Sequence, residues 1–250
     1  MISHKVFLGI FAGTAPVAQY MASKGYATLA LDLLDGHHGD VGRPAVLDTL
    51  LGWMRSGKIL GLWCATPCVT LTQARRENDV GMPRPLRDRG NLWGRPALTD
   101  SEHEQVRLAN ILIKNAARLL NAAAALGIPA GEENPRTSLL WQFSSRKRLM
   151  ARFPAVHVDF CCGGGPVRKR TRLLFINCGS PDPTGLQCSG THGVCSFSGQ
   201  RHLHLGGKAH GAWMTKKFEP YPREVAAYIG QAMLNAVHYS AIRYLNGISQ

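Results

Sequence analysis

Two short motifs carry side chains able to do covalent chemistry: Thr66-Pro67-Cys68 and Glu133-Asn134-Pro135. Cys68 follows the apolar run Ile59-Leu60-Gly61-Leu62-Trp63-Cys64, which is too short for a helix, and Thr66-Pro67 turns the backbone out of regular structure just before the thiol. This puts Cys68 past the carboxyl end of a buried strand, the edge of an open α/β sheet where ligands bind. A buried structural cysteine is the ordinary alternative; it suits Cys64, inside the apolar run, better than Cys68, among turn and polar residues. Residues 128–135 read as a second short strand closing on Glu133, Asn134 and Pro135. If the two strands are neighbours, a thiol nucleophile and a carboxyl acid converge at one sheet edge and form an active site.

A third set lies in residues 178–210, a stretch rich in Gly, Ser, Cys and His. Cys188, Cys195 and His202, with His204 as the fourth ligand, could make a tetrahedral zinc site that staples a small loop-rich lobe. The spacing is not the tight pairing of an ordinary finger, and unliganded surface residues are the other reading.

The elements that must position these residues alternate between strand and helix. Residues 5–11 read as a buried strand, Ala12-Gly13-Thr14 as a tight turn, and residues 15–24 as a helix ended by Gly25. A second strand at 27–31 closes on Asp32, placed either to hold ribose hydroxyls or to cap a turn. Pro44 opens a helix with Val46, Leu47, Leu50, Leu51 and Met54 on one face. Residues 69–97 read as a long functional loop rather than a packed element. A capping box at Ser101-Glu102-His103-Glu104 starts a helix that stops at Gly127. A basic helix at 144–153, a strand at 155–160, a sharp break at Cys161-Cys162-Gly163-Gly164-Gly165-Pro166, a strand at 173–176 and an amphipathic helix at 222–244 complete the chain. The alternation predicts an α/β fold with a mainly parallel, doubly wound sheet, in one domain covering residues 1–250.

With 45% hydrophobic and 18% charged residues the chain has a globular composition, and no apolar run is long enough for a membrane span. Seven unevenly spaced cysteines and the lack of a secretory signal pattern predict an intracellular protein with reduced thiols. The net charge of +13 is clustered at Arg75-Arg76, at Arg84, Arg87 and Arg89, at Arg146-Lys147-Arg148 and at Arg168-Lys169-Arg170. Such clustering predicts a polyanionic partner, nucleic acid first.

In order, Phe11-Ala12-Gly13-Thr14, Pro67-Cys68, Glu133-Asn134-Pro135 and a glycine-arginine run ending at Arg172 resemble the cytosine carbon-5 DNA methyltransferases. The closer likeness is to compact members of that family from viral and mobile-element sequences, and it covers roughly residues 7–176. The resemblance implies a Rossmann-like methyltransferase sheet, with Cys68 adding to carbon 6 of cytosine and Glu133 serving ring nitrogen 3. It also implies that Arg170 and Arg172 steady the base and its phosphate, with Lys169 competing for the first role. S-adenosylmethionine is expected over the first turn, bordered by Phe11, Gly13, Thr14 and Pro67, with its ribose on Asp32 and its adenine near Asp40. The Cys/His-rich stretch at 178–210 takes the place of a target-recognition module.

The chain departs from the family pattern at Gly9, where an acid is usual, and at Ala15, where glycine is. A second expectation follows from those positions: an inactive module of the same fold that binds nucleic acid. In either case DNA is the expected partner, RNA the lesser one. A base inside a duplex must leave the stack to reach a thiol. Residues 75–95, with Arg75, Arg76, Arg84, Arg87 and Arg89, are expected to close over the DNA, with Arg146, Lys147, Arg168 and Lys169 as further phosphate contacts.

Overall fold

Side chains alternate across a β-strand, so a run that is apolar at every position must be covered on both faces. In the computed structural model, which describes residues 5–77, 83–204, 208–209, 212–213, 218 and 220–245, the runs found in the sequence obey that rule. Strands β1 (Val6–Ile10), β2 (Thr28–Leu31), β3 (Ile59–Cys64) and β4 (Ala130–Pro135) pair in parallel. Strand β6 (Arg170–Ile176) runs antiparallel between β4 and β5 (Ala155–Asp159), so the six-stranded order is β2-β1-β3-β4-β6-β5. The sheet is therefore mixed, mostly parallel with one reversed strand. Only a short glycine-rich turn joins β5 to β6, and a link that lacks a crossover helix returns the chain antiparallel. A separate two-stranded hairpin pairs β7 (Lys208–Ala209) with β8 (Ala212–Trp213).

Helices α1 (Pro16–Ser23) and α5 (Arg223–Leu245) cover one face, where Val17, Met21, Val225 and Ile229 pack with Phe7, Trp63 and Phe175. Helices α2 (Pro44–Arg55), α3 (Asp100–Leu126) and α4 (Ser144–Met150) cover the other, where Leu47, Leu50, Leu119 and Leu149 pack with Leu8, Leu62, Cys64 and Leu174. Neighbouring residues such as Leu62 and Trp63 thus enter opposite cores. No helix among the described residues is long and apolar enough to cross a membrane.

The start of α3 differs from expectation. Thr99, not Ser101, is the cap: its hydroxyl accepts from the Glu102 N–H, and the Glu102 carboxylate accepts from the Thr99 N–H at 2.9 Å. The box begins two residues earlier because Asp100 and Ser101 are already helical, and only Thr99 has the extended backbone a cap needs. Residues 69–97 hold no helix or strand among those described, as expected of a loop, yet the loop is packed. Leu71 joins Ile113, Leu139, Leu140 and Phe143 in a third apolar cluster, and Leu86 is buried. Residues 78–82 of this loop, and 205–207 and 210 of the expected insertion, lie outside the described residues.

One guanidinium ties the second core to the sheet. Arg146 on α4 is fully buried, donates to both Glu132 oxygens at 2.9 and 2.8 Å, and donates to the Ile113 carbonyl of α3 at 2.8 Å. Arg146 was expected at phosphates; burial against a carboxylate removes it from any such surface. Removing one member of a buried pair strands the other charge, whereas replacing both by apolar groups does not. Arg146→Met is expected to cost about 3–5 kcal/mol in urea unfolding, and Glu132→Leu/Arg146→Met to recover most of it. A single-variant loss below about 1 kcal/mol, the range of surface pairs, would refute this role.

Candidate active site

The segment after β3 is pinned two residues ahead of the candidate nucleophile. Thr66, 2% exposed, donates its hydroxyl to Glu132 at 2.6 Å and accepts from the Asn134 side-chain amide at 2.6 Å through its carbonyl. Pro67 follows, and the Cys68 carbonyl accepts from the N–H groups of Leu71 and Thr72 at 2.8 and 2.9 Å, so a helical turn opens at Cys68. Cys68 is half-buried. Cys64 lies fully buried inside β3, and burial, then the Glu132 charge, pushes its thiol well above the ordinary range. It is held neutral and cannot compete as a thiolate.

Alternation along β4 separates its two acids. Glu132 faces Arg146 and Thr66, while Glu133 faces the other layer. There Glu133 accepts a hydrogen bond from the Tyr221 hydroxyl at 3.2 Å, and the Tyr221 oxygen accepts from the Trp63 indole N–H at 3.2 Å. Lys169 sits 3.7 Å from the remaining Glu133 oxygen and 4.4 Å over the Phe160 ring. That oxygen, Oε1, is buried and has no hydrogen-bond partner among the described residues, as is Asn134 Oδ1. Buried carboxylate oxygens are seldom left so, and such an oxygen is a ready acceptor or, once protonated, donor for a ligand.

The first turn supplies the rest of the wall. Phe11, Gly13 and Ala15 have φ of 57°, 52° and 53°, a left-handed conformation that only glycine adopts without strain. Strain of this kind persists where the surroundings enforce it, often at ligand sites. The Gly13 N–H donates to Asp32 at 3.0 Å, and the other Asp32 oxygen accepts from the Leu34 N–H at 3.1 Å. Asp32 is thus a cap, with lone pairs remaining for a ligand. Leu34, 89% exposed, stands beside it as an apolar platform.

The first turn, Thr66, Cys68, Glu133, Lys169 and Tyr221 border one cavity of ≈ 520 Å³, within the range of small-molecule sites. Of the residues singled out in the sequence, Phe11, Gly13, Thr14, Asp32, Pro67, Cys68 and Glu133 line it, together with the departures Gly9 and Ala15. Sequence reasoning missed Leu34, Trp63 and Tyr221, which also line it. Tyr221 had little signal: it lies between two prolines far from either motif, and only the docking of α5 brings it to Glu133. No protein-family model matches the chain, and no curated protein matches it.

Other expected contacts fall elsewhere. Asp40 accepts from the Gly42 N–H and does not line the cavity. Arg170 is exposed on β6, and Arg172 lies over the Trp141 ring and donates to His157 at 3.1 Å; neither lines the cavity, whereas Lys169 does. Arg87 is a further correction. It is 2% exposed and donates to Thr70, Leu92, Val106 and Asn110, and burial lowers its pKa to about 10. It cross-braces the loop and presents nothing to solvent. Arg75 and Arg84 are partly spent on the loop as well, on the Val69 carbonyl and on Glu102. Arg168 ties Asp159 to the carbonyls of Cys188 and Gly190. Arg76, Arg89 and Lys147 are exposed.

A second cluster lies apart from the cavity. Ligand atoms of Cys161, Cys188, Cys195 and His202 all lie within 4.8 Å of one another, a group that could hold a metal ion. His204, expected as the fourth ligand, is exposed and outside the group; Cys161, from the turn after β5, stands in its place. The near neighbour in sequence loses to a residue that the sheet brings close.

Burial, then the Glu133 charge, pushes the Tyr221 phenol well above its ordinary range, so it stays protonated and donates. An unfolded phenol ionises at about 10, so the folded state holds an extra proton above that pH and stability falls as pH rises past it. Tyr228, raised by burial, adds to the same alkaline loss. Tyr221→Phe is expected to cost about 1–3 kcal/mol at neutral pH, by stripping partners from Trp63 and Glu133, and to flatten the alkaline loss. An unchanged alkaline limb in urea midpoints measured against pH would remove Tyr221 from this relay.

Proposed function

We propose that this chain is an S-adenosylmethionine-dependent methyltransferase acting on carbon 5 of cytosine in DNA. The observation that carries the reading is that Cys68, in the segment after β3, and Glu133, on β4, border one cavity with Gly13 and Asp32. The residue types suit the chemistry. Carbon 5 of cytosine is a weak nucleophile, and addition of a thiolate at carbon 6 pushes electron density onto it. Cys68 would lose its proton to solvent and add its sulfur to carbon 6 as the carbon 5–carbon 6 π pair moves to carbon 5; once carbon 5 carries the methyl group and has lost its proton to water, that pair re-forms the double bond and expels the thiolate. Glu133 would meet ring nitrogen 3 with Oε1, which has no hydrogen bond among the described residues, while Tyr221 fixes the other oxygen.

The first turn fits the nucleoside part of the cofactor. Gly13 has no atom within 4 Å of where a Cβ would stand, Asp32 offers acceptors for ribose hydroxyls, and Leu34 offers an apolar face for a purine. S-adenosylmethionine, when bound, supplies an electrophilic methyl group. The chain's own contribution is to orient, to exclude water and to hold the carboxyl proton.

Trapping tests the chemistry, because a fluorine at carbon 5 blocks the proton loss that frees the cysteine. Incubation with S-adenosylmethionine and DNA bearing 5-fluorocytosine is expected to give a covalent adduct that Cys68→Ser abolishes. Glu133→Gln is expected to slow adduct formation about 10²–10⁴-fold. Parent protein that binds both cofactor and DNA without forming an adduct would overturn the reading.

A second reading rests on Ala15, an alanine held in glycine's conformation on the cavity wall: an inactive module that keeps the basic surface. Failure to bind S-adenosylmethionine in a calorimetric titration would favour it. Both readings give DNA the exposed cations. Replacing Arg76, Arg89 and Lys147 with alanine is expected to weaken DNA binding and lower the slope of log K against log salt by up to about 0.9 per lost phosphate contact. Arg87→Ala is expected to unfold more easily instead. An unchanged slope in the triple variant moves the DNA off this surface.

A further inference from the structure

We propose that Cys161, Cys188, Cys195 and His202 bind one zinc ion in a closed, structural site that fastens the Cys/His-rich insertion to the turn after β5. The inference is independent of any catalytic activity. Zinc bound at about 2.3 Å to each sulfur separates thiolates at the corners of a tetrahedron by about 3.8 Å. Cys188 Sγ lies 4.0 Å from Cys195 Sγ and 3.8 Å from His202 Nε2, so little movement is needed to close the shell. No disulfide competes for these thiols: none of the seven cysteines is paired with another, and 4.0 Å is about twice a sulfur–sulfur bond.

Packing points the same way. Cys161, Cys188 and Cys195 are 0%, 3% and 2% exposed and form a buried cluster that holds no other apolar side chain among the described residues. A lobe with so little to bury needs a substitute for a hydrophobic core, and a structural metal is the usual one. The outer shell is also in place. The Ser196 N–H and hydroxyl donate to Cys188 Sγ at 3.4 and 3.5 Å, the kind of hydrogen bonds that orient a thiolate ligand. Coordination releases the thiol protons to solvent and needs no redox partner. A set of three cysteines and one histidine favours zinc over the oxygen-seeking cations.

The fourth ligand determines what the ion does. Three ligands come from the insertion and Cys161 comes from the sheet side, so zinc joins two segments. The same seam carries the Asp159 carboxylate, which accepts from the Cys188 N–H at 2.8 Å and pairs with Arg168, and the Leu203 N–H donating to the Pro166 carbonyl. Lys169, which lines the cavity, follows Arg168 directly.

Metal analysis of the full chain purified under reducing conditions is expected to find stoichiometric zinc. Cys161→Ser is expected to weaken zinc by more than the about 10–100-fold typical of a lost outer-shell partner, and His204→Ala to leave it unchanged. Should Cys161→Ser fail to fold, cobalt titration of the metal-stripped parent decides, since thiolate-to-cobalt absorption with tetrahedral ligand-field bands reports the same site. Chelation is expected to open residues 178–204 to protease before the sheet. Absence of both zinc and the cobalt bands, zinc retained in Cys161→Ser, stoichiometric iron, or a native Cys188–Cys195 disulfide would each overturn the proposal.

Discussion

The buried Arg146 guanidinium is the interaction on which the candidate site depends. It satisfies Glu132 on β4 and a carbonyl of α3, and Glu132 in turn holds the Thr66 hydroxyl at the end of β3. A carboxylate in that position without the arginine would meet a severe desolvation penalty. With it, α3, α4 and β4 are locked to Thr66, two residues before Cys68. The ion pair is no source of large net stability; its value lies in geometry, because a bidentate arginine admits one arrangement of its partners.

The other acid of β4 uses the opposite side of the same strand. Glu133 is held at one oxygen by Tyr221 and faced at the other by Lys169, leaving Oε1 with no hydrogen bond. A one-residue step along one strand thus turns a structural acid into a site acid, because alternation sends successive side chains to different layers. Asn134 completes the unit by bonding back to Thr66, so the strand that carries Glu133 also sets the path of the Cys68 segment. The reversed strand β6 lies against β4, and Lys169, the residue just before it, carries its cation to the cavity.

The positive charge of the chain divides between scaffold and surface. Arg87 and Arg146 are buried braces, Arg84 and Arg168 are partly engaged, and Arg76, Arg89 and Lys147 remain in solvent. A cluster of arginines in sequence therefore overstates the basic surface. The guanidinium group, with five donors on a long apolar stem, serves equally well to satisfy carbonyls inside a loop that has no backbone ladder of its own.

Local pattern was enough to read the strands of the six-stranded sheet, most helices and the turn at Gly13, since each depends on side-chain periodicity and on proline or glycine at the boundary. It also placed Cys68 just past one strand and Glu133 at the end of another, and the direct parallel pairing of β3 with β4 then brings the two to one edge. Which arginines are buried, that Tyr221 meets Glu133, that Cys161 rather than His204 completes the Cys/His cluster, and that β6 runs backwards were decided by tertiary structure alone. Each is a contact between residues distant in sequence whose types are compatible with several partners. Only the packing of helices on the two sheet faces, with every buried polar group seeking a bond, selects one.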